Sequence, residues 1–478
     1  MAIQLRKLGV SDFVIIEKAD HVGGTWRDNT YPNIACDVPS HVYSFSFELN
    51  PNWSHSYSGG KEIWDYCERC VDKYGLDPYL YLGHEVAAAQ YVDDASTNRR
   101  WQVSLQDGTT LHADMVVSGL GGLHLPNRAN IAGIESFAGK RFHTAEWDHS
   151  HDLKNRKVAL IGTGASAGQT LPGIVDDVTS VTVFQRSPAW VFPRLDGAIE
   201  ESRRERFRRH PWMMRGYRWF LWVFMDVMGI LSLRRGSRMS ARLRENGLAH
   251  LEESVRDPAT RAALTPDYEP GCKRRVISDD YLSSFNRDNV QLVTADIDKI
   301  VPEGVLDSAG NLHEVDTLIE ATGFKPFDIT DYVSITGRDG LSLQDAWQDK
   351  VDSHRTMMVP GFPNFFLMLG PNSATGHTSA LIMIESAANY IVDCLRLLNT
   401  SPLEELDPDP SVVANYNARL QQDIKKLVFS DGCGAWYTDD NDYNFTLWPY
   451  SAARFIWEQA RVNPGEFRAP TQSTTSAS

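Results

Sequence analysis

Hydrophobic and polar positions near the start of the chain predict a helix followed by a short buried strand. In MAIQLRKLGVSDFVIIEKADHVGGTW, residues 1–8 have the apolar spacing of a helix, and residues 13–16 form an apolar run that ends at Glu17. After residue 56 the pattern predicts a helix and then three strands, near residues 84–93, 101–106 and 113–118. The first 125 residues therefore alternate between helix and strand.

A second α/β unit begins with KVALIGTGASAGQTL at residues 157–171, which combines a five-residue apolar strand, a glycine-rich turn and a helix. The next strand of this unit is predicted at residues 181–185. A helical insertion follows at about residues 198–256, and two more strands are predicted after it, at residues 289–293 and 316–324. Two similar openings in one chain predict an α/β fold with two Rossmann-like dinucleotide-binding domains and a helical insertion.

These elements divide the chain into three parts and a tail. Residues 1–150 form the first part of one nucleotide-binding domain, residues 151–325 form the second domain with its insertion, and residues 326–465 complete the first domain. Residues 466–478, which end in TQSTTSAS, are polar and are predicted to be disordered.

The insertion contains the most apolar stretch of the chain, WFLWVFMDVMGILSL at residues 219–233. It has only 15 residues and includes Asp226, whereas a transmembrane helix needs about 20 apolar residues. The stretch is therefore not a transmembrane span. Arginine-rich flanks leave two interpretations, a lid over an apolar substrate pocket, which we favour, and peripheral membrane contact through residues 212–235.

Charge and cysteine content narrow the classes of partner and the compartment. The net charge of -15 argues against a nucleic-acid partner, because binding phosphates needs a basic surface. Six cysteines are scattered without a secretory signal pattern, which predicts free thiols in a reducing cytoplasm. Cys67 and Cys70 form a C-x-x-C pair, but they lie in a helical pattern and no second group stands at metal-ligand spacing, so we predict no metal site.

The glycine-rich turn of the second unit has the context of a dinucleotide-binding motif. Gly162, Gly164 and Ala167 follow a strand and open a helix, so the backbone can approach a pyrophosphate at the helix N-terminus. Arg186 ends the next strand, 24 residues after Gly162, and an arginine at that place accommodates a 2′-phosphate. This pattern favours NADPH, and a structural turn beside a surface arginine is the alternative.

The same spacing can be applied to the first unit. Glu17 ends its strand as Arg186 ends the other, and an acid there suits the ribose of a nucleotide without a 2′-phosphate, such as FAD. Counting back 24 residues places the first glycine at about position -7. We therefore expect this chain to lack the strand and the first G-x-G-x-x-G turn, with Met1 as an internal helix residue used as a start.

A third motif links the two units and carries a resemblance to a known family. The stretch FAGKRFHTAEWD fits F-x-G-x-x-x-H-x-x-x-W-[P/D] at every defined position, which are Phe137, Gly139, His143, Trp147 and Asp148. This pattern resembles the fingerprint of Baeyer-Villiger monooxygenases, which are class B flavoprotein monooxygenases. The resemblance extends over essentially the whole chain and is nearest in character to phenylacetone and 4-hydroxyacetophenone monooxygenases.

The resemblance implies roles for residues at matching positions. FAD would be bound by residues of the first domain, which are Glu17, Gly24, Thr25, Trp26, Tyr43, Gly370, Pro371 and Asn372. NADPH would be bound by Gly162, Gly164, Ala167, Arg186, Lys273 and Trp436, and His143 would couple domain motion. Arg274 and its partner Asp37 would be catalytic; a solvated basic loop and a turn cap are the respective alternatives.

The implied reaction is insertion of one oxygen atom of O2 next to a ketone carbonyl, through a C4a-peroxyflavin, to give an ester or lactone. Protein side chains do not activate O2 by acid-base chemistry, so the flavin must do so. A permanent cation such as Arg274 stabilises the negative charge that develops in this reaction. The expected substrate is a small apolar or aromatic ketone, and within this class the tryptophan- and methionine-rich insertion favours a bulky apolar molecule.

Three alternatives to ketone oxygenation come from the same residues. A flavin monooxygenase could oxidise sulfur or nitrogen of soft nucleophiles, or the chain could be a flavin-free inactive fragment because the first glycine turn is missing. A flavin-dependent disulfide reductase shares the two-nucleotide plan, but Cys67 and Cys70 are poorly placed for it.

Overall fold

The computed structural model of this chain describes residues 1–92, 100–326, 328–430, 432–439 and 441–468. The strands in chain order are β1 Ile15–Glu17, β2 Leu80–Leu82, β3 Val86–Tyr91, β4 Trp101–Leu105, β5 Thr110–Ala113, β6 Val116–Ser118, β7 Lys140–His143, β8 Lys157–Ile161, β9 Ser180–Phe184, β10 Val191–Phe192, β11 Val276–Ile277, β12 Val290–Val293, β13 Ile297–Val301, β14 Gly304–Asp307, β15 Leu312–Glu314, β16 Thr317–Glu320, β17 Ser334–Thr336 and β18 Phe365–Leu367.

The α-helices, in chain order, are α1 Ala2–Lys7, α2 Thr25–Asp28, α3 Gly60–Tyr74, α4 Ala165–Ile174, α5 Glu201–Arg209, α6 Pro211–Leu233, α7 Arg238–Ser254, α8 Pro258–Ala263, α9 Tyr281–Ser284, α10 Leu343–Ala346, α11 Ala380–Thr400, α12 Pro410–Ile424 and α13 Ala452–Glu458. Short 3-10 turns connect several of these elements.

The second unit contains a five-stranded, fully parallel sheet in the order β12-β9-β8-β16-β7. Its central strand β8 is the apolar run KVALI, of which only Lys157 is exposed. A strand buried on both faces requires such a continuous apolar sequence. Helix α4 connects β8 to β9, so the predicted Rossmann-like arrangement is present here.

The first unit is built from smaller sheets. Strand β1 pairs in parallel with β2, and β6 pairs in parallel with β18, as two separate two-stranded sheets. No strand among the described residues joins these two pairs. A four-stranded sheet, β17-β3-β4-β5, packs beside them.

Three helices, α5 to α7, occupy the predicted insertion, and α6 is the longest with 23 residues. Within the described ranges, no helix combines the length and the apolar character needed to cross a bilayer. The inner face of α6 packs on the first unit through Leu221, Trp222 and Met225. Buried Asp226 accepts a hydrogen bond from the Ala452 backbone N–H (2.7 Å) and lies 2.9 Å from His377 Nε2.

Two sequence-based expectations differ from the structure. Cys272 and Cys433 form a disulfide, so the prediction of free thiols throughout was wrong. The two cysteines are 161 residues apart, and sequence spacing cannot show that folding brings them together. The predicted tail also begins later than expected, because Phe467 is buried and Arg468 pairs with Asp407; the remaining tail residues, 469–478, lie outside the described residues.

The thiols of the C-x-x-C pair belong to α3, as the helical pattern predicts. Burial raises the pKa of Cys67 to about 12 and that of Cys70 to about 11. Thiols with raised pKa values are poor nucleophiles at neutral pH. This pair is therefore unsuited to disulfide reduction.

Candidate active site

The turn after β8 has the geometry of a dinucleotide cradle. Gly162 has φ of +118°, and a Cβ added there would lie 2.4 Å from the Ala321 carbonyl oxygen, so only glycine fits. A Cβ on Gly164 would meet no atom within 4 Å, which leaves that side open to a ligand. Ala167 is fully buried in α4, which begins directly after the turn. The free N–H groups of this helix start therefore face an open site.

Two cations stand beside this cradle. Arg186 is exposed just beyond the end of β9, and Lys273 donates a 2.9 Å hydrogen bond from Nζ to Ser187 Oγ. Burial lowers the pKa of Lys273, and the nearby charge of Arg186 lowers it further. Thr163 of the glycine turn donates a 2.8 Å hydrogen bond to the Ser187 carbonyl. The site thus offers two positive charges and a hydroxyl next to the turn, a donor set that suits a phosphate.

Trp436 lies on the loop that the disulfide ties to this region. Cys433 of that loop is bonded to Cys272, the residue before Lys273. The Trp436 side chain is 43% exposed and its ring centroid lies 4.5 Å from that of Tyr437. The disulfide therefore ties the loop that carries this exposed indole to the segment that carries Lys273.

Asp37 and Arg274 form an ion pair between the two units. Arg274 Nη2 donates a hydrogen bond to Asp37 Oδ2, although the residues are 237 positions apart. Burial raises the pKa of Asp37, but the charge of Arg274, this hydrogen bond, a backbone hydrogen bond and the charge of Arg194 together hold the pKa below its usual range. Half of the Arg274 side chain stays exposed, so part of the guanidinium is available to a ligand.

Three residues near this pair were missed by sequence reasoning. Arg194, just after β10, contributes to lowering the pKa of Asp37. Arg275 donates a 3.3 Å hydrogen bond to the Gly376 carbonyl. Tyr437 is buried, which raises its pKa, and the nearby charges of Arg274 and Arg275 partly counteract this rise. Arg275 and Tyr437 each adjoin a predicted residue, whereas nothing in the sequence singles out Arg194.

The predicted flavin-side residues of the N-terminal region lie around one short segment. Gly23 and Gly24 precede α2, which begins at Thr25. Trp26 donates a 3.0 Å hydrogen bond from Nε1 to the Tyr43 hydroxyl, and the two rings meet edge to face at 5.5 Å. Burial raises the pKa of Tyr43, so its hydroxyl stays protonated at neutral pH.

Glu17 stands at the end of β1, where an acid was expected to meet a ribose. Its Oε1 accepts a 3.0 Å hydrogen bond from the Ala19 backbone N–H and lies 3.3 Å from Arg27 Nη1. The carboxylate is therefore held at the carboxyl end of the strand, the edge at which parallel sheets bind nucleotides.

The loop from Gly370 to Asn372 lies after β18, with Pro371 between them. Asn372 is buried, and its Nδ2 donates hydrogen bonds to the carbonyls of Asn444 (2.8 Å) and Leu447 (3.1 Å). Its side chain thus fixes the loop against residues 444–447. Gly370 lines a cleft together with Leu120, Gly121 and Leu369.

The fingerprint residues surround the edge strand β7 of the parallel sheet. Phe137 and Gly139 lead into this strand, and His143 ends it fully buried, with its Nδ1 accepting a 3.0 Å hydrogen bond from the Ala145 N–H. Burial, aided by Arg128, lowers the pKa of His143 to about 4, so it is neutral at pH 7. Trp147 packs on Phe142 with ring centroids 5.1 Å apart. These residues shape the strand and do not reach the Asp37–Arg274 pair by any recorded contact.

Asp148, the last fingerprint residue, is bonded to its own turn. Its Oδ1 accepts a 2.9 Å hydrogen bond from the Ser150 N–H. Lys140 pairs with the carboxylate from the start of β7, and this interaction lowers the pKa of Asp148. Asp148 therefore closes the segment that enters the second unit.

A direct contact couples the second unit to the segment that carries Asp37. Gln169 of α4 accepts a 3.1 Å hydrogen bond from the Tyr31 hydroxyl and donates a 2.9 Å bond to the Ala35 carbonyl. The helix that begins at the glycine turn is thus bonded to residues just before Asp37. No group of His, Cys, Asp and Glu that could hold a metal ion exists in the part of the chain that the structure describes.

Comparison with known proteins agrees with this arrangement. A model of the family described as "Flavin-binding monooxygenase-like" matches residues 12–204. A Baeyer-Villiger monooxygenase of Streptomyces coelicolor is 39% identical over 98% of this chain and 91% of its own length. One from Pseudomonas aeruginosa is 39% identical over 95% of this chain and 86% of its own length.

A solved structure extends the likeness to the fold. Cyclohexanone monooxygenase from Rhodococcus sp. Phi1, bound to NADP+, superimposes with a TM-score of 0.85 at 25% identity and covers 96% of this chain and 94% of that chain. The fold and the paired sites define a two-domain flavin monooxygenase. The chain belongs to the Baeyer-Villiger monooxygenase family, which confirms the resemblance and the fold class expected from the fingerprint.

Proposed function

We propose that the chain is an FAD- and NADPH-dependent monooxygenase that inserts one oxygen atom of O2 next to a ketone carbonyl to give an ester or lactone. The observation that carries this proposal is the Asp37–Arg274 ion pair, formed where the flavin-side segment meets the loop of the NADPH unit. Membership of the family supports the same reaction.

The residues present fit NADPH. The glycine turn can admit a pyrophosphate for two reasons. At Gly162 the backbone lies too close to a neighbouring carbonyl for any side chain, and Gly164 borders open space. Arg186 and Lys273 would hold the 2′-phosphate, and Trp436 would contact the ribose. A cofactor without this phosphate would leave the two cations without their counter-charge.

The residues present fit the ribose and flavin parts of FAD, while residues 1–16 contain no glycine-rich turn for its pyrophosphate. Glu17 would accept hydrogen bonds from the ribose, and Gly24, Thr25 and Trp26 would lie along the flavin with Tyr43 behind them. The loop Gly370–Pro371–Asn372 would close the opposite side, held in place by the Asn372 amide. FAD supplies the reaction with O2 that side chains do not perform.

Arg274 acts on the substrate side of this reaction. Its guanidinium is charged at every working pH, because Asp37 raises its pKa, and it offers several directed N–H donors. Asp37 fixes one edge of the guanidinium and leaves the other free for a substrate carbonyl oxygen. Negative charge that develops on that oxygen is then stabilised by a preorganised cation.

The substrate class follows from the apolar surroundings of Tyr43. Leu221, Trp222 and Met225 of α6 pack against the same buried cluster as Trp26 and Tyr43. Apolar residues on one side of the site favour a small apolar or aromatic ketone over a charged one.

A cytoplasmic location stays a prediction, and the Cys272–Cys433 disulfide removes the free-thiol argument for it.

The test uses the full chain purified with added FAD. We expect a flavin absorbance spectrum that NADPH bleaches and air restores, and an ester or lactone from ketones such as phenylacetone or cyclohexanone, identified by mass spectrometry. Oxidation of a thioether with no product from any ketone would favour the alternative of sulfur or nitrogen oxygenation. A colourless protein would favour the flavin-free alternative.

The variant that isolates the proposed role is Arg274→Ala. Ester formation should fall at least about a hundredfold, the usual effect of removing a donor that stabilises an oxyanion. NADPH should still bleach the flavin. The matched control is Arg287→Ala, which removes an exposed arginine paired with Asp176 away from the site and should leave both reactions unchanged. Equal loss of both reactions in folded Arg274→Ala would contradict the role.

A further inference from the structure

The outer face of α6 is the largest concentration of exposed apolar side chains in the described part of the chain. Six of the fifteen exposed large hydrophobic residues found there belong to it, at Trp212, Trp219, Phe220, Phe224, Val227 and Leu231. Trp219 and Phe220 are adjacent, and the other successive residues are three, four or seven positions apart, which places all six on one side of the helix over about 29 Å. We define the α6 outer face as these six residues together with Arg215, which is also exposed.

This face cannot turn inward, because the opposite side of α6 is fixed to the rest of the molecule. Leu221, Trp222 and Met225 pack in the core of the first unit, and Leu233 joins a second buried cluster. Asp226 is buried on the same side and hydrogen-bonded to the start of α13. The inner face is therefore buried against the rest of the molecule, and the outer face has no packing partner among the described residues.

The segment that contains α6 is strongly basic in an acidic protein. Residues 201–244 include twelve arginines, three acidic residues and no lysine, whereas the whole chain has a net charge of -15. Arg206, Arg215, Arg234 and Arg238 are exposed, and no ion pair is recorded for any of them with the described residues. Positive charge is therefore concentrated around the one large exposed apolar stripe.

Apolar aromatic residues bordered by arginines are the pattern of a helix that lies in a membrane interface. Tryptophan and phenylalanine enter the headgroup region, while arginine contacts anionic lipid phosphates. A second copy of this chain is a poorer partner, because a two-fold contact through α6 would bring the arginine-rich flanks of both copies together.

We infer that the α6 outer face docks the protein peripherally on an anionic lipid bilayer, with α6 parallel to the membrane plane. The aromatic stripe supplies apolar burial, and the surrounding arginines supply attraction to acidic headgroups. This inference goes beyond the proposed oxygenation and does not depend on it. It concerns where the protein binds and not what it catalyses.

The experiment is flotation of the FAD-supplemented full chain with lipid vesicles. The chain should float with vesicles of phosphatidylcholine and phosphatidylglycerol, bind phosphatidylcholine alone weakly, and lose binding in about 0.5 M salt. The variant W219E/F220E should bind at least about tenfold more weakly. Arg215→Gln should lower affinity about fivefold, since an arginine near such a surface is worth about 1 kcal/mol.

The matched control is Trp457→Glu, which changes a tryptophan of α13 that is 75% exposed and lies outside the α6 outer face. It should bind acidic vesicles like the unchanged chain. Circular dichroism and thermal unfolding of W219E/F220E should match the parent, since both residues are exposed. Absence of binding to acidic vesicles, or equal loss in Trp457→Glu, would overturn the inference. A lipid-free dimer that W219E/F220E converts to a monomer would also overturn it, in favour of a second copy on this face.

Discussion

Asp37 is ionised under all ordinary assay conditions, which defines what its replacement will do. Burial raises its pKa, but the charge and hydrogen bond of Arg274, a backbone hydrogen bond and the charge of Arg194 together lower it, so the net pKa lies below the usual value. We expect Asp37→Asn to slow ester formation about tenfold to a hundredfold, the effect of losing one charge-assisted hydrogen bond. NADPH-driven flavin reduction should continue. Steady-state product formation and stopped-flow bleaching of the flavin measure the two rates separately.

The same ion pair has a pH dependence with a defined sign. Because the folded-state pKa of Asp37 is below its unfolded value, the pair stabilises the fold above about pH 4 and this contribution is lost as the pH falls through the folded-state pKa. Urea unfolding of the parent and of Asp37→Asn at pH 7 and at about pH 3 checks this, because the contribution decreases only below the unfolded-state pKa of about 4. If the difference in free energy of unfolding between the two proteins increased on acidification, the assignment would be contradicted.

Arg186 and Lys273 predict the choice between the two nicotinamide cofactors. Their charges stand together beside Ser187, where only NADPH carries a phosphate to meet them. We expect Arg186→Ala to lower kcat/KM for NADPH about tenfold to a hundredfold and to leave kcat/KM for NADH nearly unchanged. Kinetics with both cofactors give the ratio. An equal fall with NADPH and NADH would show that Arg186 does not contact the 2′-phosphate.

At the scale of elements, the Cys272–Cys433 disulfide joins two loops that both carry candidate site residues. One loop continues into Lys273 and Arg274, and the other continues to Trp436. We expect thiol titration of the unfolded chain to detect four free thiols before reduction and six after it. Cys433→Ser should lower the free energy of unfolding by about 2–4 kcal/mol, because a long loop is no longer closed.

A comparison variant separates this effect from the general cost of losing a cysteine. Cys67→Ser changes a free cysteine of α3 and should leave both the disulfide and the response to dithiothreitol unchanged. Cys433→Ser should raise KM for NADPH as the loop bearing Trp436 loosens. Six free thiols in the unreduced parent would contradict the disulfide.

For the whole molecule, the sequence predicted what depends on local spacing. The strand, turn and helix around Gly162 follow from a five-residue apolar run and two glycines, and the structure has β8 over the residues predicted, Lys157–Ile161. The basic residue after β9 was also placed by counting along the chain. Such features are visible in sequence because one short segment contains all their parts.

The remaining site features depend on contacts between distant segments. Asp37 and Arg274 were paired only through the family resemblance, since 237 residues separate them. Arg194 and the Cys272–Cys433 disulfide were missed because nothing in their own neighbourhoods marks them. The exposure of the α6 outer face could not be read from the sequence either, because an apolar helix in an insertion is equally consistent with full burial.

One contact between the two units lies outside the residues assigned to the cofactors and the substrate. Gln169 is on α4, which begins at the glycine turn, and it bonds Tyr31 and Ala35 just before Asp37. Because this amide ties α4 to the segment before Asp37, we expect it to influence the separation between the nicotinamide and flavin positions. Hydride transfer is sensitive to such a separation, whereas nucleotide binding at the turn is not.

We therefore expect Gln169→Leu to slow NADPH-driven flavin reduction while leaving the Kd for NADPH unchanged. Leucine has a similar volume and removes the three side-chain hydrogen bonds that Gln169 makes with Tyr31 and Ala35, and each bond to a neutral partner is worth about 1 kcal/mol. Single-turnover reduction at rising NADPH concentrations gives the limiting rate and the Kd from one series. Gln291→Leu, which alters an exposed glutamine of β12 in the same sheet, is the control. A higher Kd with an unchanged limiting rate would place the role of Gln169 in nucleotide binding instead.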